Sequence, residues 1–378
     1  MKCKLEEIVD ITMGQSPKSK YYNTDGKGYP FLQGNRTFGF KYPTFDTYTT
    51  VMTKSAKAGE VIMSVRAPVG DINITPVDMC LGRGVCSLRM KNGNQDFLFY
   101  MMKYYIPQLL KKESGTVFGS VNRSDISGLD VDIPEDAKTQ KKIARYLEMI
   151  DDKIELNNNI NENLEQQAQA IFSNEFLTLE TLPDGWKQAS LIDIADYLNG
   201  LAMQKYRPTA DESGIPVLKI KELRQGCCDD NSELCSPDIK SDYIIHDGDV
   251  IFSWSGSLLV DFWCGGICGL NQHLFKVTSN KYDKWFYYAW TKHHLERFIA
   301  VAADKATTMG HIKRDELSKA EVFIPNEADY NLIGAMLQPI YDLIIANRIE
   351  NQKLAETRDT LLPKLMSGEI DISEVDYE

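Results

Sequence analysis

Few residues in this 378-residue chain are spaced for covalent chemistry. Ser236–Lys240 reads SPDIK, faintly similar to the Pro-Asp…Lys arrangement of metal-dependent nucleases, but the spacing is wrong and no second acid stands beside it. Cys264, Cys268 and His273 could be drawn together as metal ligands. Structural zinc sites use tighter cysteine pairs, however, and no CxxC occurs among the eight cysteines. Gly82–Gly84, GRG, is too short for a nucleotide loop. There is no GxxxxGK[ST] phosphate loop, no Asn/Asp-Pro-Pro-aromatic methyltransferase motif, and no locally supported Ser/His/Asp set. The expectation is a chain that carries out no covalent step and holds no metal or cofactor of its own.

The chain does offer side chains suited to reading nucleic acid. Arg and Lys pair with guanine, Asn and Gln with adenine, and further basic groups with phosphate. LQGNRTFGFKY (Leu32–Tyr42) supplies Gln33, Asn35, Arg36 and Lys41 in a Gly-rich loop, and LKIKELRQG (Leu218–Gly226) supplies Lys219, Lys221 and Arg224. Arg83 in LGRGV stands against Gln272 and His273 in LNQHL. GSVNRSDI (Ser120, Asn122, Arg123) stands against GHIKRDEL (His311, Lys313, Arg314). Arg123 and Arg314 share one place, which suits a sequence-independent phosphate contact; a helix-end ion pair with Asp125 or Glu316 is the alternative. Lys18, Lys20, Lys205 and Arg207 could also touch a backbone.

These stretches come in pairs because the chain repeats itself. LEEIVDITMG (Leu5–Gly14) matches LIDIADYLNG (Leu191–Gly200), GYPFL (Gly28–Leu32) matches GIPVL (Gly214–Leu218), and AGEVIMS (Ala58–Ser64) matches DGDVIFS (Asp247–Ser253). VDIP (Val131–Pro134) and VFIP (Val322–Pro325) close the two copies. Offsets drift only from 186 to 191, as short loop indels would produce. Within each copy, short β-like runs are punctuated by Gly, Pro and Asn. One amphipathic helix follows, at DFLFYMMKYYIPQLLK or KWFYYAWTKHHLERFI, and then a long helical pattern. The matched frames diverge in the candidate reading loops, as two different targets would require.

The long helices carry the strongest pattern. Ile143, Leu147, Ile150, Ile154, Asn157, Asn161, Leu164, Ala168 and Ile171 recur at alternating steps of four and three. So do Ile333, Leu337, Ile340, Ile344, Asn347, Asn351, Leu354, Arg358 and Leu361. Each seam is interrupted by two asparagines at the same places, although Asn is a mediocre helix former. Two seams in one chain can pack against each other as an antiparallel coiled coil roughly 40 Å long. With ends aligned, Asn157 meets Asn347, and the buried asparagines mark the register. Pro339 removes a backbone donor from the second helix. The fold class is then α+β: two similar mixed α/β domains, residues 1–135 and 180–325, and two helical segments, 136–179 and 326–378.

Charge agrees. The net charge is −12, which argues against simple nucleic-acid binding. Residues 1–135 hold 17 Lys and Arg against 14 Asp and Glu, whereas 326–378 hold 4 against 11. The second domain, residues 181–325, has 16 against 20 and should grip DNA poorly without help from a partner. No run of 18 apolar residues is present, and the N-terminus, MKCKLEEIVDI, is too acidic for a signal peptide, so a cytoplasmic protein without a membrane partner is expected.

Three stretches resemble one family: LPDGWK (Leu182–Lys187), IPEDAKTQKKIARYLEMIDDKIELNNNINENLEQQAQAIFSNEF (Ile133–Phe176), and RDTLLPKLMSGEIDI (Arg358–Ile372). All are similar to the specificity (S) subunit of type I restriction–modification enzymes, and the resemblance spans essentially the whole chain. It implies two target-recognition domains, each reading half of a split site in double-stranded DNA, with helical spacers that dock two modification subunits. Those subunits carry S-adenosylmethionine and methylate adenine; separate motor-nuclease restriction subunits use ATP and Mg. A scaffold that organises proteins without reading DNA is the competing expectation. The sequence departs from the family where Thr139–Gln140 and Tyr330–Asn331 stand in place of the usual Glu-Gln.

Overall fold

The computed structural model describes residues 1–111, 119–304 and 314–372. The chain packs as two compact units: Met1–Glu155 with Leu354–Glu378, and Leu156–Lys353. Each unit therefore takes in part of both long helices.

The first unit is built on an antiparallel sheet of β1 (Val9–Met13), β2 (Val61–Ser64), β3 (Ile72–Ile74) and β4 (Val85–Met90), in the order β1-β4-β2-β3. Helix α1 (Gln95–Leu110) covers it. Phe97, Leu98, Phe99, Met101 and Met102 are fully buried, and Ile143, Leu147, Leu362 and Leu365 of the long helices close the same core. Burying each such side chain contributes about 1.5–3 kcal/mol. A second sheet pairs Tyr29–Leu32 parallel with Met79–Leu81, and the N-terminal strand Lys2–Lys4 pairs with Asp130–Asp132.

The second unit repeats this plan. Its sheet comprises β5 (Asp196–Asn199), β6 (Val250–Ser253), β7 (Leu259–Phe262) and β8 (Leu274–Thr278), in the order β5-β8-β6-β7. Ile215–Leu218 runs parallel to Cys268–Leu270, and Lys187–Ser190 pairs with Glu321–Ile324. The second amphipathic stretch is split at His294 into Lys284–His293 and Leu295–Asp304.

Two long helices, α2 (Ala137–Phe172, 36 residues) and α3 (Glu327–Ser367, 41 residues), run through the spacer segments. Helical structure continues through Pro339. Asp136 caps α2 by accepting from the Thr139 N–H at 2.9 Å, and Asn326 caps α3 by accepting from Asp329 at 3.0 Å. Side chains at these helix starts tie them to the domains. Gln140 is buried and accepts from Asn92 and Asn94, the latter preceding α1. At the equivalent place Tyr330 bonds Asp283, which precedes the second amphipathic helix: its hydroxyl accepts from the Asp283 N–H at 2.7 Å and donates to the Asp283 carboxylate at 3.1 Å. Different side chains tie the same two elements.

The register of the asparagines differs from the end-aligned expectation. Within the second unit Asn157 donates to Asn351 at 2.9 Å and to Glu350 at 2.7 Å, while Asn347 donates to Asn161 at 2.8 Å. Asn157 thus finds Asn351, one turn beyond Asn347. The opposed numbering makes the helices antiparallel here, and both bonds run across the helix pair, although the Asn157 side-chain oxygen is buried without a partner. Off the seam, Asn158 accepts from Asn351 at 2.8 Å. Arg358, the charged seam residue, is explained in the first unit. It donates to Asp151, 1% exposed, at 2.8 Å, and Tyr100 donates to the same carboxylate at 2.8 Å. The equivalent places in the second unit hold Ala168 and Tyr341, with Tyr341 packed on Tyr288 at 5.1 Å.

Candidate nucleic-acid interface

In the first unit, five segments meet beyond one end of the central sheet. Backbone bonds lace them: Gly84 N–H to Gln33 O at 3.0 Å, Val65 N–H to Gly84 O at 2.8 Å, Val121 N–H to Val65 O at 3.0 Å, and Gly14 N–H to Val85 O at 3.0 Å. The approach is close enough to require glycine. A Cβ on Gly84 would lie 2.3 Å from the Gln33 carbonyl oxygen, and one on Gly14 2.0 Å from that of Gly82. GRG is therefore a packing motif that presents Arg83 from a rigid turn. Ser16 joins the loops, donating to Gln33 at 3.1 Å and accepting from the Arg83 N–H at 3.0 Å.

Three arginines sit on these laced segments: Arg83, Arg123 and Arg66, the last bridged by its backbone to Ser120. All three are exposed, and among the described residues none has an ion pair. Sequence reading missed Arg66. Its frame, VIMSVRA against VIFSWSG, served to align the repeat, and the divergence of Arg66 from Ser255 was the signal available.

The other candidates in this unit are committed elsewhere. Lys41 is 3% exposed and ion-paired to Glu148 at 3.1 Å. Burial pulls its ammonium down, but the Glu148 hydrogen bond and charge outweigh this and hold it protonated. Its charge is satisfied inside the first unit. Asn35 donates to Asp71. Arg36 pairs with Asp46 at 2.6 Å and holds that carboxyl below its ordinary range. Asn122 caps the turn Arg123–Ser127, accepting from Ser124 and Asp125 N–H groups. Asp125 in turn accepts from the Asn122 N–H at 2.9 Å, so no helix-end ion pair engages Arg123. Ser120, Lys18 and Lys20 are exposed.

The second unit presents different chemistry. Lys219 and Arg207 both pair with Glu233, which the Lys219 hydrogen bond foremost holds low, and Lys221 pairs with Asp229 at 2.9 Å. Lys205 is exposed, and Arg224 is exposed without an ion pair among the described residues. At the place of Arg83 lies a polar and aromatic cluster. His273 Nδ1 is 3.1 Å from Ser255 Oγ, Gln272 lies 3.3 Å from His273 Nε2, and Trp254 donates to Asn199 at 3.1 Å. Arg314 donates to the Tyr197 carbonyl at 3.0 Å, so it does not match the free Arg123. His311 and Lys313 lie outside the described residues.

Cys264, Cys268 and His273 do not converge: among the described residues no group of three His, Cys, Asp or Glu is placed to hold a metal ion. No helix among them is long and apolar enough to cross a membrane.

Comparison with known proteins gives this arrangement a family. The type I restriction modification DNA specificity domain matches twice, over residues 1–166 and 183–356. The type I restriction enzyme MjaIX specificity subunit of Methanocaldococcus jannaschii is 24% identical across 98% of this chain and 94% of its own length. A putative MjaX specificity subunit from the same organism is 37% identical, over 44% of this chain and 40% of that protein. The crystal structure of the type I restriction–modification S subunit from M. genitalium superposes with a TM-score of 0.56 at 15% identity, covering 97% of this chain and 96% of that one. Matched by the domain in both of its repeats, the chain belongs to the family of type I restriction–modification DNA specificity subunits.

Proposed function

We propose that residues 1–135 and 180–325 are target-recognition domains that each read one half of a bipartite double-stranded DNA site. The observation that carries this is the contrast between the two equivalent loop clusters. Arg66, Arg83 and Arg123 stand open in the first, and Asn199, Trp254, Ser255, Gln272 and His273 form a polar and aromatic cluster in the second. Guanidinium groups suit guanine edges and phosphates, whereas Gln suits adenine. One frame carrying two chemistries is what two unlike half-sites need. The chain itself is non-catalytic. Its long helices, which pass from one unit to the other, set the half-site spacing and dock two modification subunits that supply S-adenosylmethionine and methylate adenine. Restriction subunits supply ATP and Mg chemistry. The acidic balance of the second domain makes these partners part of the electrostatic grip.

The test is co-expression with a modification subunit, followed by mapping of methylated adenines. A methylated split motif that disappears without this chain supports the reading. Methylation with no bipartite motif sinks it and favours a scaffold.

A further inference from the structure

The second unit holds a pair of thiols that the DNA-reading role does not use. Cys228 Sγ lies 3.4 Å from Cys268 Sγ, 40 positions away in sequence. Cys268 is fully buried on the strand Cys268–Leu270, which runs parallel to Ile215–Leu218. Cys228 is half-buried, two residues beyond Gly226, the left-handed residue that ends the helix Ile220–Gln225. That helix follows Lys219 and carries Lys221 and Arg224. By contrast, Cys86 is fully buried, with burial pushing its thiol up to about 12, and has no thiol neighbour among the described residues.

We propose that Cys228 and Cys268 are an oxidisable dithiol, converted reversibly into an intramolecular disulfide by a peroxide. The sulfurs must close from 3.4 Å to about 2.05 Å to bond. The two partners are poised unequally. The hydrogen bond between the two sulfurs lowers the Cys228 thiol and, together with burial, raises that of Cys268. Cys228, half-buried and within reach of a peroxide, is the attacking sulfur, and Cys268, fully buried, the resolving one. The Cys228 thiolate attacks one peroxide oxygen, the O–O bond breaks, and the departing hydroxide takes a proton to become water, leaving a sulfenic acid. The Cys268 sulfur then attacks the Cys228 sulfur, the S–O bond breaks, and the hydroxyl leaves as water with the Cys268 proton. Two thiols lose two electrons and one peroxide becomes two waters. The new bond ties the C-terminal end of the Ile220–Gln225 helix to the strand beneath it. Its effect on half-site reading rests on the function proposed above; the bond itself does not.

The test exposes the purified full chain to hydrogen peroxide, then traps thiols under denaturing conditions for peptide mass spectrometry. A peptide joining Cys228 to Cys268, lighter by two hydrogens than the separate thiols, is expected. Dithiothreitol should reverse it, and C228S and C268S should each abolish it. C228S, at a half-buried position, keeps the test open should C268S fail to fold. Recovery of Cys268 as a free thiol while Cys228 is oxidised alone, or joined to Cys227, overturns the proposal. A DNA-binding comparison of the oxidised and reduced chain is read separately: a confirmed bond with unchanged binding leaves the dithiol standing and removes only its link to half-site reading.

Discussion

Asn161 and Asn347 offer a sharp energetic test of the helix register. Both are buried, and Asn347 donates to the Asn161 side-chain oxygen at 2.8 Å, while Asn161 reaches the Ile344 carbonyl only at 3.5 Å. Asn347→Leu leaves the Asn161 oxygen buried without its partner, a loss of about 1–3 kcal/mol. Asn161→Leu strands the Asn347 amide in the same way. Replacing both removes the orphan, and an apolar pair in place of two bonded polar groups is close to neutral. The double variant should then be about as stable as the parent, with an interaction energy about equal to the two single losses added together. The assay is selective by nature: all five tryptophans, at 186, 254, 263, 285 and 290, lie in the second unit. Urea unfolding followed by tryptophan fluorescence thus reports on that unit. An Asn347→Leu variant as stable as the parent, or a double variant no better than the two losses added, would refute the reasoning.

Three further outcomes follow from the same geometry. Arg358→Ala removes one of the groups that hold the buried Asp151 carboxylate, leaving the Tyr100 hydroxyl at 2.8 Å and the Lys103 ammonium at 3.7 Å, and should cost about 1–3 kcal/mol, seen as faster hydrogen exchange over 95–110. Asp151→Tyr with Arg358→Ala, which installs the pair that the second unit carries as Tyr341 and Ala168, should restore much of it. His294 Nε2 donates to the Glu321 carbonyl at 2.8 Å, and burial pushes its imidazole down to about 4. The unfolded chain takes up that proton near pH 6.5, so stability is full above 6.5 and falls as the pH drops towards 4. The loss approaches roughly 3 kcal/mol, checked by urea midpoints across that range and flattened in His294→Gln. Lys41→Met should lower the melting temperature while leaving the salt dependence of DNA binding unchanged, because this lysine already neutralises Glu148.

Much of the fold was legible because periodicity and duplication are local properties of the chain. The repeat frames foretold two mixed α/β domains with the same strand order, and the alternating steps of four and three foretold the long helices. The register was not legible. Aligning helix ends pairs Asn157 with Asn347, but amide hydrogen bonding selects Asn351 for Asn157, and only three-dimensional packing reveals that. Residue type likewise overstated Lys41 and Asn122. A lysine in a polar loop reads as ligand-facing until Glu148, 107 residues away, is found against it. Asn122 reads as an adenine contact until its capping bonds appear. Arg66 was overlooked for the opposite reason: its neighbours are β-like and apolar, and only the backbone bond from Val121 to Val65 brings it beside Ser120.

The central claim is that the two loop clusters read separate half-sites. The direct measurement is an adenine-methylation map for Arg66→Ala/Arg83→Ala, co-expressed with the modification subunit and compared with the parent. Each lost bidentate guanine contact is worth about 1–3 kcal/mol, roughly 5–150-fold in discrimination at one base pair. The account expects one half of the split motif to relax while the other half and the spacing hold. Loss of discrimination in both halves equally, or in neither, would contradict it.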